Sequence, residues 1–259
     1  MCRFEPARHG PDRKIERHRR NNPAMKLIRT LARTLRAAAP VTRADPTRNP
    51  ACSEFEVDNW QLSQFVLQKL VPIVGTHPFP LHELMLISAA VCRFRPPQIY
   101  EWGTHIGKSA RVFYECITHF GIACEIHSVD LPDGAVHVEH PEGARGKLVL
   151  GLNGVHLHQG DGLTESLGLW SRLGRKEGVL FFVDGDHEYD SVQREISAIV
   201  TGIPSAKILA HDTFFQSSQS GYNIGPRRAI DDVLSAHAGR YKRVESGLGL
   251  PGMTLLYRG

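Results

Sequence analysis

Long apolar runs are missing from this 259-residue chain. No stretch of about 18 uninterrupted apolar residues occurs, which argues against a membrane-spanning helix. Cysteine is sparse: Cys2, Cys52, Cys92, Cys116 and Cys124 form an odd set without a CxxC pair. A disulfide framework or a thiolate zinc site is therefore not expected, and a reducing, cytoplasmic compartment is the simpler reading. Most of these thiols are expected to pack as small buried hydrophobes. Internal repeats and low-complexity blocks are absent as well. Glycine (24) and proline (16) stay at ordinary levels, which excludes collagen-like, mucin-like and wholly disordered chains.

Charge is present but unevenly spread. The formal net charge of +4 suggests a polyanionic partner, yet residues 1–50 hold 13 Lys/Arg against 4 Asp/Glu, while residues 51–259 hold 18 against 23. The basicity belongs to a leader, expected to be disordered over its first 24 residues. Its second half, MKLIRTLARTLRAAAP from Met25, would place Leu27, Leu31 and Leu35 on one helical face and Arg29, Arg33 and Arg36 on another. A solvated tail, a helix on anionic membrane and an Arg-rich organelle transit peptide all fit this pattern, as does a true start at Met25. Arginines interrupt the apolar region that a secretory signal requires. The expected organisation is a basic leader over 1–50 and a single domain over 51–259, with a helical cap at 55–95. Its acidic body makes a nucleic-acid partner unexpected; a homo-oligomer is left open.

Within the body, 58–74 and 81–93 read as helices. Beyond Pro96–Pro97, strands at 98–102, 125–129, 155–159, 179–183, 207–210 and 254–257 alternate with helices at 109–120, 191–201 and 226–236. Such alternation predicts an α/β fold, a doubly wound and mostly parallel sheet.

The first strand ends in Glu101-Trp102-Gly103-Thr104-His105-Ile106-Gly107-Lys108-Ser109. A glycine turn there brings backbone N–H groups and a helix N-terminus toward a ligand. The dinucleotide fingerprint GxGxxG fails, since His105 and Lys108 stand where its second and third glycines belong. The phosphate loop GxxxxGK[ST] also fails, being one residue short with Trp102 at its first glycine. What fits is E-x-G-x-x-x-G. On these residues the chain resembles class I S-adenosylmethionine (SAM)-dependent methyltransferases. That resemblance implies a Rossmann-like, mostly parallel seven-stranded sheet with helices on both faces. It also implies SAM as cofactor, its methionine end lined by Glu101, Gly103, Thr104, His105, Gly107 and Ser109. Asp130, ending the second strand, would hold the ribose hydroxyls, and Asp161 after the third would lie near the adenine. Packing glycines, a helix cap at Asp130 and an ordinary turn at Asp161 are the alternative readings.

The fourth strand ends in Asp184-Gly185-Asp186-His187-Glu188-Tyr189, and the fifth in His211-Asp212-Thr213. If the two strands are neighbours, about 4.8 Å apart, Asp184 and Asp212 share one crevice. There they can ligate a hard cation such as Mg²⁺ or act as an acid/base pair. DGDHxY, HDT and the later Gly225-Pro226-Arg227-Arg228 resemble the branch of the class I fold that contains cephalosporin hydroxylase-like proteins and small-molecule O-methyltransferases. By that resemblance Asp184, also at the cofactor pocket, and Asp212 are metal ligands and His187 is the catalytic base. HDT departs from the branch's acidic pair, which leaves Asp186 or water as the third ligand. The expected substrate is a small-molecule hydroxyl acceptor, a sugar or natural product, approached through the 213–225 loop. A non-catalytic SAM-binding scaffold and a nucleic-acid modifier recruited by the leader are the rival readings. A hydroxylase finds no support, as no 2-His-1-carboxylate spacing is evident.

Overall fold

The computed structural model describes residues 45–47, 51–52, 54–135 and 144–259. The basic leader, its Leu/Arg segment and Met25 therefore lie outside the described residues, apart from 45–47. The described residues belong to one compact unit. Asp45 and Thr47 reach it through an Asp45–Arg95 ion pair (3.2 Å) and a bond from the Thr47 hydroxyl to the Cys92 carbonyl (3.1 Å).

Seven strands make one sheet in the order β3-β2-β1-β4-β5-β7-β6. They are β1 (Gln98–Trp102), β2 (Glu125–Asp130), β3 (Val155–Gln159), β4 (Leu180–Val183), β5 (Lys207–His211), β6 (Lys242–Ser246) and β7 (Met253–Tyr257). The first five run parallel, and β7 pairs antiparallel with both β5 and β6. The expected doubly wound, mostly parallel, Rossmann-like sheet is thus the observed one. Strand order reverses at β1 and β4, which opens a crevice at their carboxyl ends.

Alternation of side chains along the strands divides the interior into two cores. Ile99, Ile126, Leu180, Phe182, Leu209 and Leu255 face one layer. That layer contains α1 (Asn59–Phe65), a π-helical stretch (Val66–Leu70), α2 (Val71–Val74), α3 (Leu81–Phe94) and α4 (Lys108–Phe120). Tyr100, Trp102, Phe181, Val183, Ile208 and Leu256 face the other, built by α5 (Gly162–Arg172), α6 (Tyr189–Gly202) and α7 (Gly225–Ala236). β4 is buried throughout, which is why its sequence is a continuous apolar run. Local signals fix the helix ends. The Asp58 carboxylate accepts from the Trp60 and Gln61 amides, and α4 begins at Gly107 and ends at Gly121, both in the left-handed region.

Two elements had escaped the sequence reading. β6 (KRVES) is a polar edge strand without an apolar alternation of its own. α5 starts at a Gly-Asp-Gly turn and carries Gly168, which weakens its helical signal. Cys92 and Cys116 are fully buried, packing as small hydrophobes.

Phe182 sits at the centre of the first core, between Phe79 (5.9 Å between ring centroids) and Phe113 (5.6 Å). Phe182→Ala is expected to cost about 3–5 kcal/mol, read as a lowered midpoint in urea unfolding.

Candidate active site

At the carboxyl end of β1, Glu101 lies fully buried, its Oε1 accepting from the Ser128 hydroxyl at 2.6 Å. Ser128 in turn accepts from the Thr104 hydroxyl (2.6 Å). Oε2 of Glu101 has no hydrogen-bond partner among the described residues. Burial pushes its pKa up to about 7, and the Ser128 and Ser109 hydroxyls offset this in part.

The glycine turn is shaped by the fold itself. Gly103 has φ +89°, and a Cβ there would run into the Asp184 backbone carbonyl at the end of β4. Gly107 (φ +85°) packs closely on Gly146 and Val149. His105 contributes its backbone: the N–H donates to Asp130 Oδ2 (3.0 Å), while Leu131 N–H donates to Oδ1 (2.8 Å). Asp130 is thereby aimed at the crevice, and the Arg145 guanidinium lies 3.3 Å from Oδ2. Asp161 caps α5, Oδ1 accepting from the Thr164 amide (2.9 Å), and its Oδ2 meets Arg194 at 3.0 Å. Its turn chemistry thus accounts for the residue without a ligand.

The second half of the site hangs on β4 and β5, which are adjacent and parallel, so Asp184 and Asp212 do share one crevice. Between them stands His211. Its Nδ1 lies 3.0 Å from Asp184 Oδ1 and 3.5 Å from Asp212 Oδ2, and its Nε2 lies 3.0 Å from Glu83 Oε2. Glu83, on α3, is fully buried, and its Oε1 accepts from the Gly252 amide at 2.8 Å. Burial alone would work against a charged ring, but Asp184, Asp212 and Glu83 outweigh it and hold the His211 pKa well above its ordinary value. A proton on His211 and a metal ion beside it are alternative answers to the same excess of negative charge.

His187 Nδ1 lies 3.1 Å from Asp212 Oδ2, and the Tyr222 hydroxyl donates to Asp212 Oδ1 at 2.6 Å. Although burial opposes it, the contacts from His211, Tyr222 and His187 keep the Asp212 carboxyl below the usual range. Asp212 occupies the left-handed region (φ 55°), which turns the chain out of β5 into the 213–225 loop.

Asp184, His211 and Asp212 offer three ligand atoms within 4.8 Å of one another, the cluster that could hold a metal ion among the described residues. Asp186 stays outside it: its oxygens accept from the Glu188 amide (3.0 Å) and the Ser191 hydroxyl (2.5 Å), which holds the turn before α6. The donor that completes this cluster is His211, where the expectation was Asp186 or water. The sequence reading missed Glu83, although a signal existed, since it shares a helical face with Ile87 and Ala90, an acid on a buried stripe. Tyr222 was expected, with Trp60, Phe214 and Phe215, as an aromatic facing the acceptor, and its bond to Asp212 was not foreseen.

No family model matches the chain, and no curated protein matches it. Solved structures do. The chain is similar to the O-methyltransferase TomG from Streptomyces achromogenes, involved in tomaymycin synthesis and seen in complex with SAM. That likeness has a TM-score of 0.51 at 14% identity and covers 77% of this chain and 88% of the other. It is similar also to an O-methyltransferase from Bacillus cereus in complex with SAH, with a TM-score of 0.50 at 15% identity over 76% and 90% of the two chains. At such identities the likeness shows the fold alone, the one these two O-methyltransferases share.

Glu101 supplies a pH test. Its carboxyl binds a proton more tightly in the folded protein (pKa about 7) than at its ordinary 4.5. Its contribution to stability is therefore full below pH 4.5 and is lost as pH rises through about 7. Glu101→Gln is expected to stabilise the protein at pH 8 by up to about 3 kcal/mol and to leave it unchanged at pH 4. Urea unfolding at the two pH values measures the difference.

Proposed function

We propose that the chain is a SAM-dependent methyltransferase that methylates a hydroxyl on a small molecule, a sugar or other natural product. The observation that carries this reading is the meeting of two half-sites at one sheet edge. Glu101 and Asp130 form an acidic cleft at the ends of β1 and β2, and the Asp184, His187 and Asp212 group lies at the ends of β4 and β5. The SAM-bound and SAH-bound fold neighbours support it.

The residues present fit the cofactor. The open Oε2 of Glu101 suits an ammonium group. Asp130, already oriented by the His105 and Leu131 amides, retains lone pairs for two ribose hydroxyls. SAM, when bound, supplies a methyl group on a sulfonium, and its displacement leaves a neutral thioether. The protein must align the acceptor oxygen and remove its proton.

His187 is placed for that proton. Its Nδ1 lies 3.1 Å from Asp212 Oδ2, and a proton held on that side would leave Nε2 as the base. The same carboxylate stabilises the imidazolium that forms. His187 is part-exposed, so an acceptor can reach it, whereas His211 is enclosed. A divalent cation held by Asp184 and Asp212 would lower the pKa of the acceptor hydroxyl. Tyr222 anchors the 213–225 loop to Asp212, and Phe215 on that loop is 67% exposed, an apolar surface for an acceptor.

His187→Ala is expected to reduce methyl transfer by about 10²–10⁴-fold, with SAM affinity changed less than about twofold. Calorimetric titration with SAM and SAH, then a screen of sugar and phenol acceptors, measures both. A protein that binds neither SAM nor SAH would overturn the reading. Binding without transfer to any acceptor would favour a scaffold role, and salt-sensitive nucleic-acid binding lost on deleting 1–50 would favour a nucleic-acid partner.

A further inference from the structure

We propose that Asp184, His211 and Asp212 form a one-nitrogen, two-oxygen site selective for a borderline divalent cation such as Mn²⁺, Co²⁺ or Zn²⁺ over Mg²⁺. Glu83 is the positioning residue that presents the His211 ring. The inference rests on the methyl-transfer reading for its use in the reaction, while cation binding itself is read separately.

Three observations converge. First, the donor spacing is that of neighbouring ligands. Atoms about 2.1 Å from a common ion, in octahedral to tetrahedral arrangement, stand roughly 3.0–3.4 Å apart. Nδ1 of His211 is 3.0 Å from Asp184 Oδ1 and 3.5 Å from Asp212 Oδ2.

Second, the far nitrogen of the same ring meets a carboxylate. His211 Nε2 is 3.0 Å from Glu83 Oε2, and a metal-ligating histidine characteristically donates its other N–H to such a group. Glu83 is held in turn by the Gly252 amide and is itself fully buried, so its direction is set by α3 and the turn before β7. A buried acid brought from a helix 128 positions earlier to the rear of one imidazole is a built arrangement.

Third, the donor set departs from all-oxygen chemistry. Mg²⁺ prefers oxygen donors and near-ideal octahedral geometry. An imidazole in place of a carboxylate favours Mn²⁺, Co²⁺ and Zn²⁺, in the rising order of their affinity for nitrogen. Two carboxylates balance the charge of the dication, and the part-exposed Asp184 leaves a side of the site open to water.

Metal-stripped full-length protein is titrated with Co²⁺ and with Mg²⁺ by calorimetry, following Co²⁺ also by its visible absorption. Co²⁺ is expected to bind at one site at least about tenfold more tightly than Mg²⁺. His211→Asp should remove that preference. Glu83→Gln should weaken Co²⁺ by about 10–100-fold while keeping the preference.

Wild-type protein loaded with Mn²⁺ and examined by electron spin-echo spectroscopy should show ¹⁴N coupling that Asp184→Asn abolishes. That measurement needs no histidine variant to fold. Mg²⁺ binding as tightly as Co²⁺, no binding of either ion, or ¹⁴N coupling that survives Asp184→Asn would overturn the site. SAM affinity of the metal-stripped protein is measured alongside. Cation binding without SAM or SAH binding would sink the methyl-transfer reading and leave the site standing, and the reverse would sink only the site.

Discussion

Three carboxylates, those of Glu83, Asp184 and Asp212, are drawn around the His211 imidazole in a largely enclosed space. Negative charges this close, removed from water, demand a positive partner. His211 answers when it carries a proton. The demand explains features that look unrelated along the chain: an acid on the buried face of α3, a backbone amide from Gly252 turned inward, and a left-handed Asp212 at the exit of β5. Removing one member leaves the others uncompensated, so the group is coupled across α3, β4, β5 and the turn before β7.

That coupling ties the two cores to the chemistry. α3 packs in the first core, yet its Glu83 reaches the carboxyl ends of the strands. On the other side of the sheet, α6 starts beyond Asp186, whose bonds from the Glu188 amide and the Ser191 hydroxyl hold the turn that carries His187. The His187 imidazole thus sits between that turn and Asp212. Glu101 shows a different compromise. A glutamine there would spare the protein a buried carboxylate, and a residue kept against the interest of stability marks a site with work to do.

Much of this was legible in the sequence because parallel sheets write their layout plainly. Apolar strands bounded by acids and glycines located β1, β2, β4 and β5, and with them Glu101, Asp130, Asp184 and Asp212. β6 was hidden because an exposed edge strand need not be apolar. The identity of the third group in the crevice was hidden for a different reason. Asp186 and His211 are both near in sequence to an expected ligand, but direction decides: one points its oxygens back at its own helix, the other points its ring between two strands. Residue spacing carries no record of that. Nor does it record Glu83, whose role depends on where α3 crosses the sheet.

The position of His211 also bears on how one fold accommodates more than one way of activating an oxygen. In the proposed reaction, the acceptor proton and the positive charge near the acceptor would be handled by separate groups, His187 and the His211 cluster, which share Asp212. Because Asp212 faces both rings, a change at either histidine reaches the other through one carboxylate. The Tyr222 hydroxyl donates to the opposite oxygen of Asp212, so the 213–225 loop is tied to the same carboxylate that the two histidines share.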